Sequence, residues 1–430
     1  MIGYALSSLM GLASQILVTR AFGTGAEIDS YYAGNRLTEL LFNLMAGGAL
    51  ASAFVPTFTG FLAKAQRIQA WRLASSIGNL ILVGLGTISA FAAWQAPWIV
   101  QYILAPGFND PAQLTLTVEL LRIMLLSPAI FGVSGLLMGV LNGNQRFFLP
   151  AVAPGFYRIG LIVGVVFLSP RYGIYGLAWG VVLGAGLHLL VQLPGLRGLG
   201  GQYTPRLGLN DATVRQVGVL MAPRLLGVAV VQINFLVNTI LASGMPVGSL
   251  SAVNYALIIM LMPQLVIAQA IAVASLPTFS AQVARQEWSA LQSTFTATLR
   301  GVFFLAFPAS LGLIFLRQPI VAMLLERGMF TQQSTNLVAW ALLWYAAGLV
   351  GHAVLEVIVR AFYAMYDTRT PVLVGAGAMT LNILFSLLFS RWFIRLGWAP
   401  HGGLALANSL ATALESGLLL FLMRMRSVSY

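Results

Sequence analysis

Apolar residues in this chain neither alternate nor form narrow amphipathic stripes; they come in long runs separated by short polar punctuation. Each run is about 20 residues or longer, enough for an α-helix to cross roughly 30 Å of hydrocarbon. Twelve spans are predicted, at about 3 to 22, 31 to 60, 74 to 104, 115 to 141, 147 to 169, 173 to 195, 214 to 242, 250 to 281, 292 to 324, 334 to 364, 370 to 394 and 402 to 424. Strands of a membrane barrel would alternate polar and apolar over about ten residues, which these runs do not. The expected fold is all-α, a polytopic membrane protein with no extramembrane domain. The first span lacks a preceding basic segment and is longer than a secretory signal, so it is expected to stay as a helix.

Composition agrees. Of 430 residues, 59% are hydrophobic and 8% charged, too little polar surface to wrap a soluble core of this size. Zero cysteines exclude disulfide and thiol chemistry. The net charge of +12 speaks first to topology. With the amino terminus in the cytoplasm, Lys64, Arg67, Arg72, Arg146, Arg197, Arg206, Arg215, Arg285, Arg369, Arg424 and Arg426 fall inside, against Arg20, Arg171, Arg317, Arg327, Arg391 and Arg395 outside. The excess inside predicts both termini on the cytoplasmic side.

The chain also repeats itself. "ASAFVPTFTGFLAKAQ" at 51 to 66 returns as "AVASLPTFSAQVARQE" at 272 to 287, an offset of 221 that also carries Pro150 onto Pro371. Gln15 and Gln232 sit at matching depths, and "YGLAWG" in the sixth span returns as "GGLALA" in the twelfth. Six spans are therefore duplicated, giving an N-terminal lobe at 1–200, a cytoplasmic linker at 201–213 and a C-terminal lobe at 214–430. An even number of spans makes the copies parallel repeats. Such lobes typically bind substrate near the midplane and expose it alternately to each side; the plainer reading is duplication that merely built a large bundle.

Few residues offer chemistry. The only lysine, Lys64, follows Ala63, so no phosphate-cradling GxxxxGK loop exists, and the three histidines lie too far apart for HExxH. No enzyme, no cofactor and no nucleic acid partner is expected. Ionisable residues inside spans are costly and usually face a bundle interior or wet cavity. These are Arg36, Glu39, Arg122, Arg158, Arg224, Glu356, Arg360 and Glu415. Glu356 and Arg360, four apart, share a helical face and can pair with each other, as can Arg36 and Glu39. Arg158 and Arg224 have no acid within a helical turn, and a guanidinium matches phosphate oxygens as a fork. They are the leading candidates for an anionic head group. Gly176, Gly180 and Gly184, at spacing four, read as a close-packing face. Trp94, Trp98, Tyr172, Trp392 and Trp398 read as interfacial aromatics.

Several stretches together resemble one family. "TRAFGTGAEIDSYYAGNRLTELLFNLMAGGALASAFVP", "APGF" at 105 to 108, "LNGNQRFFLPAVAP", "APRLLGVAVVQIN" and "FYAMYDTRTP" look like the MurJ (MviN) family of lipid II flippases, within the superfamily of multidrug, oligosaccharidyl-lipid and polysaccharide exporters. The likeness covers nearly the whole chain in order. It implies two six-helix lobes around a cationic cavity in a bacterial cytoplasmic membrane. Their cargo would be an undecaprenyl-diphosphate-linked peptidoglycan precursor, moved from the inner to the outer leaflet. Membrane potential or a gradient of a monovalent cation, not ATP, would reset the cycle. The implied partners are that precursor, membrane lipids and cell-wall synthesis proteins.

By position, Asp29 matches the family's acidic residue after the first span and Arg224 an arginine beside the seventh-span proline. Where the family usually carries arginines, this chain has Ser8, Ser14, Asn43 and Ile258, and Gly47 stands for a glutamate. Many members also have two further helices that form a groove for the lipid tail. The candidates for substrate contact are thus Arg36, Arg158, Arg224, Asn43, Gln15 and Gln232; for ion coupling or gating, Asp29, Glu39, Glu356 and Arg360. Three readings stay open: the precursor flippase, an exporter of the same fold for another polyprenyl-linked glycan or amphiphilic solute, and a non-transporting paralogue that partners wall-synthesis proteins.

Overall fold

Backbone N–H and C=O groups cannot stay unpaired in hydrocarbon, and a helix satisfies them within one segment. The computed structural model of the chain is accordingly helical, with no strand among the described residues. These are residues 2–46 and 49–427, with side chains at 2–9, 45–46, 49–52, 223–224 and 426–427 left out. Ten helical stretches among them are long and apolar enough to cross a membrane, so the protein is a multi-pass membrane protein.

The chain forms two compact units, Met1–Gly244 with Arg327–Met329, and Met245–Glu326 with Phe330–Tyr430. The first holds α1 (Ile2–Phe22), α2 (Ala26–Ala46), α3 (Ala49–Ala63), α4 (Arg67–Trp94), α5 (Ala96–Ile99), α6 (Pro111–Met124), α7 (Ser127–Gly143), α8 (Phe148–Val163), α9 (Ser169–Tyr172), α10 (Ile174–Leu190) and α11 (Ala212–Ser243). The second holds α12 (Ser249–Pro263), α13 (Ala270–Ala284), α14 (Trp288–Phe315), α15 (Arg317–Leu325), α16 (Gln332–Ala364), α17 (Arg369–Arg395) and α18 (His401–Ser427). The expected second span is two helices, α2 and α3. Its first half, with Glu27, Asp29, Arg36 and Glu39, is far more polar than the other spans.

The duplication read from sequence recurs in the backbone. Helices α4 and α14 have the same length, 28 residues, and begin 221 positions apart at Arg67 and Trp288. Among the described residues, the four non-glycine residues with left-handed backbone form two pairs at that spacing, Ala65 (φ 58°) with Gln286 (φ 57°) and Gln145 (φ 59°) with Tyr366 (φ 60°). One difference is local: α16 is unbroken, whereas its counterpart is split into α6 and α7 before Pro128, since proline cannot donate to the preceding turn.

Packing and repeat boundaries differ. α11 opens the second sequence copy, yet it packs on α2, α3 and α4 of the first unit. Asp211 caps its start through Thr213 N–H at 2.9 Å. At its end Gly107, of the "APGF" stretch, donates its N–H to Ser243 Oγ at 3.1 Å and lies so close to Gly244 that a Cβ would collide with its backbone.

The segment after α10 lies as a strap on α4. Asn79 Nδ2 donates to the carbonyls of Thr204 and Arg206 at 3.2 and 2.9 Å, Tyr203 donates to Asn79 Oδ1 at 2.7 Å, and Thr204 N–H donates to Ser75 Oγ at 3.1 Å. In the second unit the corresponding face of α14, with Leu291 and Phe295, borders an apolar cavity of about 690 Å³ instead.

The second unit is built around α16, against which α12, α13, α14 and α18 pack. Ser409 and Ser416 of α18 donate to the α16 carbonyls of Trp344 and Gly351 at 2.7 and 2.9 Å. Trp94, Trp98, Tyr172, Trp392 and Trp398 are all exposed, as interfacial aromatics require.

Candidate functional site

The expected close-packing face of α10 decides the geometry of the first unit. Gly180 and Gly184 meet Gly160 of α8 and Gly164 just past its end so closely that a Cβ at Gly160 would strike the Gly184 backbone, and one at Gly184 would lie 2.6 Å from the Tyr157 carbonyl oxygen. Glycine is needed here because two helix backbones touch. Next along the same row of α10, four residues beyond Gly184, comes His188. The close approach brings it to a cavity of about 300 Å³ that Tyr157 and Arg158 also line.

α2 closes the cavity with one helical face. Asn35, Thr38, Glu39, Phe42 and Asn43 line it, which is the i, i+3, i+4 pattern of a single side. Arg36 points elsewhere. It is buried at 8% exposure, donates Nε–H to Thr239 Oγ1 of α11 at 3.1 Å, lies over the Phe235 ring at 5.3 Å and pairs through Nη1 with Glu39 Oε2 at 2.9 Å. Asn35 Nδ2 occupies the other Glu39 oxygen at 2.9 Å.

Arg158 differs. It lies near the middle of the Phe148–Tyr172 span, lines the cavity and stacks over Tyr157 at 5.6 Å. Among the described residues no acid pairs with it and nothing hydrogen-bonds to it. A guanidinium in hydrocarbon without a counterion calls for water or an anionic ligand.

The remaining candidates separate. Asn43 is in the cavity wall. Gln15 donates to Tyr32 Oη at 3.3 Å, and Gln232 is buried on α11 with its Oε1 unpartnered among the described residues. Asp29 is buried at 3% exposure in the first turn of α2. The Arg224 side chain lies outside the described residues, as do those of Ser8 and Gly47. Arg122 donates to the Ala93 carbonyl at 3.0 Å. Ser14 donates to its own helix at the Gly11 carbonyl, 2.8 Å away. In the second unit Glu356 and Arg360 pair with each other at 3.1 Å. Of the four arginines first considered for substrate or gating, the structure therefore neutralises Arg36 and Arg360 through neighbouring glutamates and leaves Arg158 open to a ligand.

Sequence reasoning missed Asn35, Tyr157, Thr239 and His188. Only His188 had a usable signal, since it extends the glycine row by the same spacing of four.

Residues 18–430 match the family model described as "Lipid II flippase MurJ". The chain belongs to the MurJ family. Among curated members, the lipid II flippase MurJ of Burkholderia cenocepacia is 32% identical over 98% of this chain and 82% of its own length. The probable lipid II flippase MurJ of Vibrio cholerae is 31% identical over 96% and 79%. A solved MurJ, in an inward closed conformation, superposes with TM-score 0.86 at 25% identity, covering 98% of this chain and 87% of that one. A multidrug transporter of the MATE family matches with TM-score 0.81 at 14% identity, over 98% of this chain and 95% of its own, which shows a shared fold. The expected MurJ membership, exporter-superfamily fold and all-α class are thus borne out.

Proposed function

We propose that the chain is a lipid II flippase of the bacterial cytoplasmic membrane, moving the undecaprenyl-diphosphate-linked peptidoglycan precursor from the inner to the outer leaflet by alternating access, without a catalytic step. The supporting observation is Arg158. It is a cation in the middle of a span, on the wall of a cavity, with no acid within ion-pair distance among the described residues, the nearby Glu39 being paired with Arg36. In a setting of low dielectric such a charge binds phosphate oxygens strongly. Asn43 and Tyr157 add polar contacts around it.

In this reading Arg36 is a fixed structural charge that holds Glu39 and α11 in register, while Asp29 and Glu39 are the acids through which a monovalent cation gradient or the membrane potential acts. The potential has the needed scale, about 2.3 kcal/mol per charge per 100 mV. Both termini lie in the cytoplasm, where the basic loops are richest.

The test is rescue. The chain is expressed in cells whose own lipid II flippase is shut off, and the labelled precursor reaching the outer leaflet is followed. Wild type should restore growth and flipping, and Arg158→Ala should not. An inserted, folded wild type that restores neither would overturn the flippase reading in favour of another cargo.

A further inference from the structure

Beyond Arg158, the first unit contains a buried polar group that the proposed function does not use. His188 is 5% exposed, with Nδ1 at 2.6 Å from Ser134 Oγ. Gln192, one turn further along, donates through Nε2 to Ser134 Oγ at 2.7 Å and to the His188 carbonyl at 2.8 Å. The carbonyl fixes the orientation of the Gln192 amide, because the reverse would set two acceptors against each other.

Hydrogen counting then fixes the imidazole. Ser134 Oγ accepts from Gln192 and has one hydrogen of its own to give. If Nδ1 accepts it, the Ser134 hydroxyl hydrogen and both Gln192 amide hydrogens are used, while Gln192 Oε1 stays without a partner among the described residues. If Nδ1 carried a proton instead, the Ser134 hydroxyl would have two donors pointing at it and no acceptor for its own hydrogen among the described residues. A buried donor left unpaired is costly. The neutral ring therefore carries its hydrogen on Nε2.

The Nε2–H is then the ring's one donor, and it has no partner among the described residues. His188 lines the same cavity as Arg158. Glu39, an acid that lines the same cavity, has both oxygens engaged, by Asn35 and Arg36. The ring is steadied by Phe131, edge-on at 5.5 Å.

We propose that His188 is a substrate-binding residue, presenting Nε2–H to an oxygen of a lipid-linked diphosphate beside Arg158, with Ser134 and Gln192 as positioning residues that hold its tautomer. This rests on the flippase reading and sharpens it. Two donors of different kinds lining one cavity suit two linked phosphoryl groups better than one.

The test uses nitrogen-15-labelled histidine in protein reconstituted in lipid nanodiscs, with only 3 histidines to resolve. The signal lost in His188→Gln should show unprotonated Nδ1 and protonated Nε2. Undecaprenyl diphosphate should shift it, and undecaprenyl phosphate should shift it less. His188→Leu should weaken diphosphate binding about tenfold, the effect of one hydrogen bond to a charged group. His188→Gln, whose amide reaches the Nε2 position, should recover most of that. Ser134→Ala should mix the tautomers and lower Tm only by as much as the lost hydrogen bonds cost.

Diphosphate that binds wild type and leaves the His188 signal unmoved overturns this inference alone. So does a His188→Leu variant that is less stable but binds equally well. Failure of wild type to bind any diphosphate lipid overturns this inference together with the flippase reading.

Discussion

The two units descend from one six-span pattern and place their intramembrane arginines differently. In the second, Glu356 holds Arg360, His352 meets Asn408 at 3.0 Å, and the α18 serines hang on α16 carbonyls. In the first, Arg36 and Glu39 are tied down in the same manner, but Arg158, Asn43 and His188 line a cavity. Duplication supplied two equivalent scaffolds; in the first an unpaired arginine lines a cavity, whereas in the second the buried ionisable side chain without a partner among the described residues is an acid, Glu415 of α18, at 9% exposure. A buried ion pair mainly fixes geometry, whereas an unpaired cation is costly enough that a ligand is its natural explanation.

That contrast can be broken most directly at its arginines. Arg158→Ala should lower diphosphate-lipid affinity by about 30-fold or more, since losing a desolvated charge contact costs roughly 2–5 kcal/mol. Arg360→Ala should leave affinity per folded molecule unchanged. Equal losses would mean that the units share the binding task. The glycine seam comes next. Gly184→Ala should destabilise by about 1–3 kcal/mol through overpacking against Tyr157, read as a lower Tm in detergent. Gly377→Ala on α17, with open space around it, should be neutral or slightly stabilising, because alanine is the better helix former by about 1 kcal/mol.

Charge pairing gives a smaller effect. Each half of the Glu356–Arg360 pair is under a third exposed. Glu356→Gln should therefore cost between the ~1 kcal/mol of an exposed pair and the ~3 kcal/mol at which buried pairs begin. Adding Arg360→Gln should return most of that stability. In the first unit, Arg36→Gln with Glu39→Gln should not recover fully, because Arg36 also holds Thr239 and Phe235. Full recovery there would remove the distinction. Smallest is the strap. Asn79→Ala should speed protease cleavage near 203–206, at about 1 kcal/mol for each hydrogen bond lost. Arg300→Ala, at the equivalent position of α14, should leave the cleavage pattern as it is.

The spans, the duplication and the family were legible in sequence because they rest on runs and echoes tens of residues long. The Glu356–Arg360 pair was legible for the same local reason, being one helical turn apart. Arg36 as an isolated anion ligand was not a safe inference, since Thr239 and Phe235 come from 200 residues away. The division of the second span into α2 and α3 was masked by its apolar second half. The cavity could not be read at all, because it depends on how closely α8 approaches α10. Yet the glycines that set this approach were visible, and the spacing that links them runs straight on to His188.

The paired left-handed residues have a practical meaning for protein engineering. Ala65 and Gln286, like Gln145 and Tyr366, place different side chains on the same turn geometry at equivalent points of the two copies. Such turns are natural splice points: a chimera joined there inherits matching entry and exit directions for its helices. Transplanting the segment from Gln145 to Leu190 in place of its counterpart after Tyr366 would move Arg158 and His188 as one cassette, asking whether a binding wall can be grafted into the half that lacks it.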